Sequence, residues 1–83
     1  SQERLTPLAA IGGERGRDLF ETLEVYLHCS GRKTEAAEVL GIERQSLYHR
    51  LSRIESTLGV DLKDGDTVLA LHLAVMIRRL LGR

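Results

Sequence analysis

Apolar residues recur at helical spacing through the first half of the chain. One stripe starts after Arg17 and stops at Ser30-Gly31, and its members are Leu19, Phe20, Leu23, Tyr26 and Leu27. A second, shorter helix is predicted from Thr34, whose hydroxyl can cap the free amides of the first turn, to Gly41. The pattern therefore predicts a packing helix followed by a short helix.

The second half of the chain predicts two longer helices. The turn Gly41-Ile42-Glu43 leads into a helix over about residues 44–57, whose apolar side consists of Leu47, Leu51, Ile54 and Leu58. Gly59 is the predicted stop of this helix. A last helix, capped by Asp66, has the apolar set Leu69, Leu73, Met76, Ile77 and Leu80. Its carboxyl end has Arg78, Arg79 and Arg83, whose charges complement the helix dipole without any ligand.

The amino-terminal segment predicts one more short helix. Thr6 is the candidate N-cap, Pro7 takes the first helical position, and Gly12-Gly13 ends the helix. We interpret residues 1–15 as a lead-in that contains this short helix, and residues 16–83 as the main domain. The expected fold is all-α, with about five helices.

Composition agrees with one small helical core. The 83 residues are 42% hydrophobic, which suffices for one core, and the chain is too short for a second domain. Aromatic residues make up only 4%, and the Leu-, Ala-, Ile- and Val-rich remainder favours helices over strands. Twelve basic and twelve acidic residues balance, so a nucleic-acid contact would need a locally basic surface.

The segment TEAAEVLGIERQSLYHRLSRIE contains the most informative pattern. A short helix with small residues at Ala36 and Ala37, a glycine turn and a longer amphipathic helix follow one another directly. Small residues allow the second helix to cross the first closely, so the second helix protrudes and can enter a DNA major groove. The sequence therefore predicts a helix-turn-helix pair at about 34–58 within a small helix-turn-helix bundle, with a recognition helix at about 44–57.

Polar residues on the outer side of this recognition helix are candidates for DNA contact. The residues expected to read bases are Glu43, Arg44, Gln45, Tyr48 and His49. Arg44 can make a bidentate contact to guanine, and Gln45 to adenine. The residues expected to contact phosphate are Arg32, Lys33, Thr34, Ser46, Arg50 and Arg53. Acidic residues in this stretch are few, so the region is locally basic.

Each of these residues also has a structural interpretation. Arg50 and Arg53 can form ion pairs with nearby acids such as Glu55 on a solvated helix face. Tyr48 can be a packing residue. The apolar set of the last helix is long enough that so small a core could leave part of it uncovered, so the alternative function is a helical protein–protein interaction or dimerisation module without DNA binding.

The helix-turn-helix segment resembles two families of regulators. AAEVLGIERQSLYHRL is similar to the Fis-type pattern AA-x-x-LGI-x-R-x-TLY-x-x-L, with Ser46 in place of threonine. A longer stretch, from TLEVYL to LSRIESTLGVDLKDGDTVLALHLAV, more closely resembles the carboxyl-terminal domain of PucR/CdaR-type transcription regulators. The positions that match that family's motifs are Thr22, Leu23, Tyr26, Leu27, Arg44, Leu47, Arg50, Leu51, Arg53, Ile54, Glu55, Leu58, Gly59, Asp61 and Leu62.

The resemblance implies sequence-specific binding of double-stranded DNA by the carboxyl-terminal domain of a bacterial transcription regulator. It also implies an amino-terminal sensor or regulatory domain, and a homodimer or higher oligomer on paired half-sites. Glu43, Gln45, Ser46 and His49 depart from the usual His, Asn, Thr and Tyr of the family. Because these departures lie on the base-reading surface, the family's DNA sequence preference does not transfer.

The sequence offers little support for other functional classes. His28, Cys29, His49 and His72 lie in different elements or splay apart, so we expect no enzyme activity, no metal site and no cofactor. A single cysteine excludes an intramolecular disulfide and fits a reducing cytoplasm. The longest apolar run is too short to span a bilayer, and no signal peptide is recognisable, so no membrane association is expected.

Overall fold

The computed structural model describes residues 5–82 and contains five helices in that range. They are α1 (Thr6–Ile11), α2 (Gly13–His28), α3 (Lys33–Leu40), α4 (Arg44–Leu58) and α5 (Gly65–Leu80). The predicted all-α bundle of about five helices is confirmed. Arg83, predicted near the end of the last helix, lies outside the described residues.

Helix α1 joins the same core as the helices that follow it. Leu5 and Leu8 are fully buried and belong to one hydrophobic cluster with residues of α2, α4 and α5. Thr6 is the first helical residue, and Leu5 takes the N-cap position, so the prediction of Thr6 as N-cap is wrong. Gly12 has φ +67° and Gly13 has φ +62°, which lets the chain turn from α1 directly into α2. Helix α2 therefore begins at Gly13, earlier than the predicted Arg17.

The turn between α3 and α4 forms as the sequence predicts. Ala36 and Ala37 are buried, and Gly41 adopts the left-handed conformation at φ +70°, ψ +33°. The Ile42 amide donates to the Ala37 carbonyl at 3.1 Å, and the Ile42 side chain packs against the core. Only the start of α3 differs: Arg32 is the N-cap residue, and Thr34 lies inside the first turn without a capping bond.

Helix α4 buries one side and ends at a glycine. Leu47, Leu51 and Ile54 are buried, and Leu58 packs beside them. Gly59 is left-handed and its amide donates to the Glu55 carbonyl. The Val60 amide donates to the same carbonyl, which is the longer of the two bonds of a Schellman-type stop. These features confirm the predicted phase and end of this helix.

Helix α5 differs from the prediction at its start and in its buried face. Asp64 is the N-cap: its carboxylate accepts from the Thr67 amide at 3.0 Å and from the Thr67 hydroxyl at 2.7 Å. The helix begins at Gly65, so the prediction of Asp66 as the cap is wrong. The face turned to the core consists of Val68, Leu71, Ala74 and Val75. The residues predicted to be its apolar face, Leu69, Leu73, Met76, Ile77 and Leu80, are exposed.

The Asp64 cap gives a test that depends on pH. Its two hydrogen bonds from Thr67 hold the pKa of the carboxyl below its ordinary value of 3.8. The stabilisation is therefore complete above pH 3.8 and is lost as the pH falls through the lowered pKa. We expect Asp64→Ala to lower the thermal midpoint at pH 7, and Asp66→Ala to lower it less. Below the lowered pKa, the difference between wild type and Asp64→Ala should shrink; a constant difference would contradict the role of the charged cap.

Candidate nucleic-acid interface

The outer side of α4 is polar and open to solvent. Gln45, His49, Ser52 and Ser56 follow one another at intervals of four, three and four, opposite the buried Leu47 and Ile54. All four are exposed, and none is acidic. Helix α4 therefore presents to solvent a polar ridge without acidic side chains.

On one flank of this ridge, the aromatic side chain of Tyr48 contacts two basic residues. The Arg44 guanidinium donates to the Tyr48 hydroxyl at 2.7 Å and lies 5.7 Å from the centre of the Tyr48 ring. From α3, the Lys33 ammonium lies 5.6 Å from the same centre. Tyr48 is 43% exposed, so it is not a core residue. It orders two cations from two helices on one side of the ridge.

The other flank is a cleft between α4 and the start of α2. Its basic residues are Arg15, His49, Arg50 and Arg53, and Leu19, Ser52 and Ser56 complete the lining. Arg50 is half-buried and donates to the Thr22 hydroxyl at 3.1 Å. Thr22 in turn donates to the Asp18 carbonyl at 2.7 Å. Arg50 is therefore anchored on α2, whereas Arg53 is exposed.

Arg15 also lines this cleft, although the sequence did not predict it as a contact residue. It precedes the helix-turn-helix by many positions, and in sequence it belonged to the lead-in segment. Only the packing of α2 on α4 brings it beside Arg53. Its place in α2, four residues before the buried Leu19, is the one sequence signal that it lies on the side of α2 facing α4.

The remaining predicted residues lie around the amino ends of α3 and α4. Thr34, Ser46 and Glu43 are exposed, and Glu43 is the N-cap residue of α4 without a side-chain capping bond. Arg32 forms an exposed ion pair with Glu35 at 2.8 Å. The ion pairs of Arg50 or Arg53 with Glu55 do not form within residues 5–82. Glu55 instead accepts from the Leu62 amide at 2.8 Å.

A buried tyrosine lies beneath the flank that contains Tyr48. Tyr26 of α2 lines a shallow cleft with Lys33, Tyr48 and Glu55. Burial raises the pKa of the Tyr26 phenol above its ordinary value of 10.0, and the Glu55 carboxylate raises it further. Tyr26 therefore stays neutral at physiological pH and provides a packing floor for the flank rather than a charge.

Comparison with known families identifies this arrangement. The profile of the PucR C-terminal helix-turn-helix domain matches residues 19–77, which is most of the chain. The chain belongs to this family. It is a DNA-binding helix-turn-helix domain of the kind found in transcription regulators. Of the two resemblances seen in the sequence, the match supports the PucR type.

Relatives of this PucR-type domain are parts of longer proteins. The chain is 35% identical over 69 residues to the purine catabolism regulatory protein of Bacillus subtilis, covering 83% of this chain and 13% of that protein. It is 33% identical over 75 residues to the proline-responsive transcriptional activator PutR of the same organism, covering 90% and 18%. An uncharacterised Thermomonospora curvata protein is 37% identical over 71 residues, covering 86% and 39%. The chain thus spans well under half of each relative. No solved structure shows a significant match.

Two histidines and the cysteine of the PucR-type domain lie outside the clefts beside α4. His28 of α2 and His72 of α5 meet edge to face with ring centres 5.2 Å apart, and Cys29 is buried. In residues 5–82 no three His, Cys, Asp or Glu side chains come together as a metal site would require. Over the same range, no helix has the length and apolar character to cross a membrane.

Proposed function

We propose that this domain binds double-stranded DNA in a sequence-specific manner, with α4 in the major groove. The observation that supports it is the exposed, acid-free ridge of α4 with cations on both flanks. A major groove is about 12 Å wide and is bordered by phosphates on both sides, so a helix with this charge distribution complements it. Lys33 lies on one flank and Arg50 and Arg53 lie on the other.

The base-reading residues in this proposal lie near the amino end of α4. They are Glu43, Arg44, Gln45, Tyr48 and His49, all of which are exposed. Arg44 is suited to a guanine edge, and Gln45 to an adenine edge. The Tyr48 hydroxyl that accepts from Arg44 limits the freedom of the guanidinium before DNA arrives, which reduces the entropy lost on binding.

Phosphate contacts in this proposal come from three helices. The residues are Arg32, Lys33, Thr34, Ser46, Arg50 and Arg53, together with Arg15. Thr34 and Ser46 lie in the first turns of α3 and α4, where free backbone amides favour phosphate oxygens. Arg50 has its guanidinium fixed by Thr22, so it can position the domain without a large loss of side-chain freedom.

The setting of the domain is also part of the proposal. Its relatives are much longer proteins, which supports a carboxyl-terminal module attached to an amino-terminal sensor or regulatory domain. We propose a homodimer that places two α4 helices on paired half-sites in the cytoplasm. Binding to DNA, rather than catalysis, is the proposed activity.

A selection from random duplex DNA tests the proposal. The 83-residue chain is incubated with the pool at moderate salt, the retained fraction is sequenced, and affinity is then measured as salt rises. We expect one enriched motif and a steep fall in affinity with salt, because phosphate contacts release counterions. Retention without an enriched motif would contradict sequence-specific binding, and no retention even at low salt on an enforced dimer would contradict DNA binding altogether.

Arg15 gives a prediction specific to the structure. We expect Arg15→Ala to weaken binding to all duplex sequences by a similar factor and to reduce the slope of log affinity against log salt by about one. Arg17→Ala is the matched control, because Arg17 lines a separate cleft with Arg78 and Arg79. An equal effect of both substitutions would show that only net charge matters.

A further inference from the structure

Helix α5 is apolar on two sides, although only one of them faces the core. Leu71, Ala74 and Val75 are buried against α2 and its neighbours. On the other side Leu69, Leu73, Met76 and Leu80 are exposed, with exposed fractions of 61%, 49%, 44% and 86%. A helix on the surface of a monomer normally has a polar outer side, so this second apolar side needs an explanation.

The exposed residues follow the spacing of a coiled-coil seam. Asp66, Leu69, Leu73, Met76 and Leu80 lie at intervals of three, four, three and four, and we call this set the α5 stripe. Ile77, 40% exposed, borders it. The four apolar members of the stripe, separated by intervals of four, three and four, fit knobs-into-holes packing against another helix of the same spacing. Scattered surface leucines would not repeat in this way.

The charges along α5 are opposite at its two ends. Asp66 lies at the amino end of the stripe, and Arg79 lies beside its carboxyl end. Arg79 is 73% exposed and lies 3.1 Å from Glu24, in an ion pair not aligned for a hydrogen bond, so donors remain for another acceptor. The next position at stripe spacing is Arg83, which lies outside the described residues. When two such helices pair in antiparallel orientation, the acidic end of each lies beside the basic end of the other. The two helix dipoles then point in opposite directions, which is electrostatically favourable.

We propose that the α5 stripe packs against the α5 stripe of a second copy of this chain in antiparallel orientation. In this register Leu69 of each copy lies opposite Leu80 of the other, and Leu73 lies opposite Met76. These pairs form four layers of contact, and a single two-fold axis relates them. The chain has no net charge to oppose self-association. The inference does not depend on DNA binding, because no residue of the stripe lines the clefts beside α4.

Sedimentation equilibrium of the 83-residue chain tests this interface. We expect wild type to form a dimer and Leu73→Glu to weaken it by about 100-fold or more, because two carboxylates would enter the seam. Val39→Glu is the matched control, since Val39 of α3 is 64% exposed and lies outside the stripe. Far-UV circular dichroism checks that each variant is folded. If Leu73→Glu does not fold, Leu69→Gln replaces it as the stripe variant. A monomeric wild type, or a folded stripe variant that dimerises like wild type, would overturn the proposal.

Disulfide cross-linking tests the antiparallel orientation of the two α5 helices with substitutions that introduce no charge into the stripe. In a Cys29→Ala background, we expect Leu69→Cys to cross-link with Leu80→Cys when the two variants are mixed. Two copies of Leu80→Cys should not cross-link with each other, because the two ends of the stripe are about 16 Å apart along the helix. Efficient cross-linking between two Leu80→Cys copies would overturn the antiparallel arrangement.

Discussion

We expect Leu47→Ala to lower the free energy of unfolding by about 2–5 kcal/mol. Leu47 is fully buried in the cluster that joins α4 to α1, α2 and α5. Truncation removes its transfer free energy and leaves a cavity between helices that the short loops cannot easily close. Since a domain of this size has a total stability near the low end of about 5–15 kcal/mol, the variant should be close to unfolding at 37 °C.

Urea denaturation followed by circular dichroism measures this loss. Leu81→Ala is the matched control, because Leu81 is 55% exposed and lies outside both the core and the α5 stripe. The same change of side chain should there cost within about 0.5 kcal/mol. Similar losses for Leu47→Ala and Leu81→Ala would mean that α4 does not pack on the core as described.

We expect Arg44→Ala to weaken binding to the selected DNA motif by about 1–3 kcal/mol and to relax the preference at one base pair. Arg44 is exposed at the first position of α4, where a helix lying in the major groove approaches base edges. Binding to random duplex DNA should fall much less. Competition binding with single-base variants of the motif measures both quantities.

Tyr48→Phe separates the contribution of the Arg44 guanidinium from the contribution of the hydrogen bond that orients it. This substitution keeps the ring but removes the hydroxyl that accepts from Arg44 at 2.7 Å. We expect a smaller loss than for Arg44→Ala, with relaxed preference at the same base pair. If Arg44→Ala instead weakens binding to every sequence equally, Arg44 contacts phosphate and does not read a base.

The helix-turn-helix unit could be predicted from sequence because several local signals agree there. Small residues at Ala36 and Ala37, the left-handed Gly41 and the phase of the α4 leucines all specify the same geometry. None of these features needs a distant partner to form. The exposure of the predicted contact residues on α4 follows from the same phase, although their roles on DNA stay predictions.

Helix starts were less predictable because neighbouring residues compete for the cap. Asp61 and Asp64 precede α5 and Asp66 lies in its first turn, and each of the three is a good N-cap by type. Asp64 takes the position because Thr67, three residues later, supplies both an amide and a hydroxyl to its carboxylate. At α3, Arg32 takes the cap position ahead of Thr34, and the ion pair of Arg32 with Glu35 accompanies this start.

The buried face of α5 and the position of Arg15 depend on tertiary packing. Periodicity cannot choose between two apolar sides of one helix, and Leu69 and Leu73 are as hydrophobic as Leu71 and Val75. The small Ala74 lies between Leu71 and Val75 on the side that packs against α2. Arg15 reaches the α4 cleft only through the packing of α2 on α4, which no local pattern encodes.

Methylation interference on the selected motif tests most directly whether α4 reads bases in the major groove. Dimethyl sulfate modifies guanine N7, which faces the major groove, and adenine N3, which faces the minor groove. We predict that N7 methylation of guanines within the motif blocks binding and that N3 methylation of adenines there does not. Binding that tolerates N7 methylation throughout the motif, or that is blocked only by N3 methylation, would contradict insertion of α4 into the major groove.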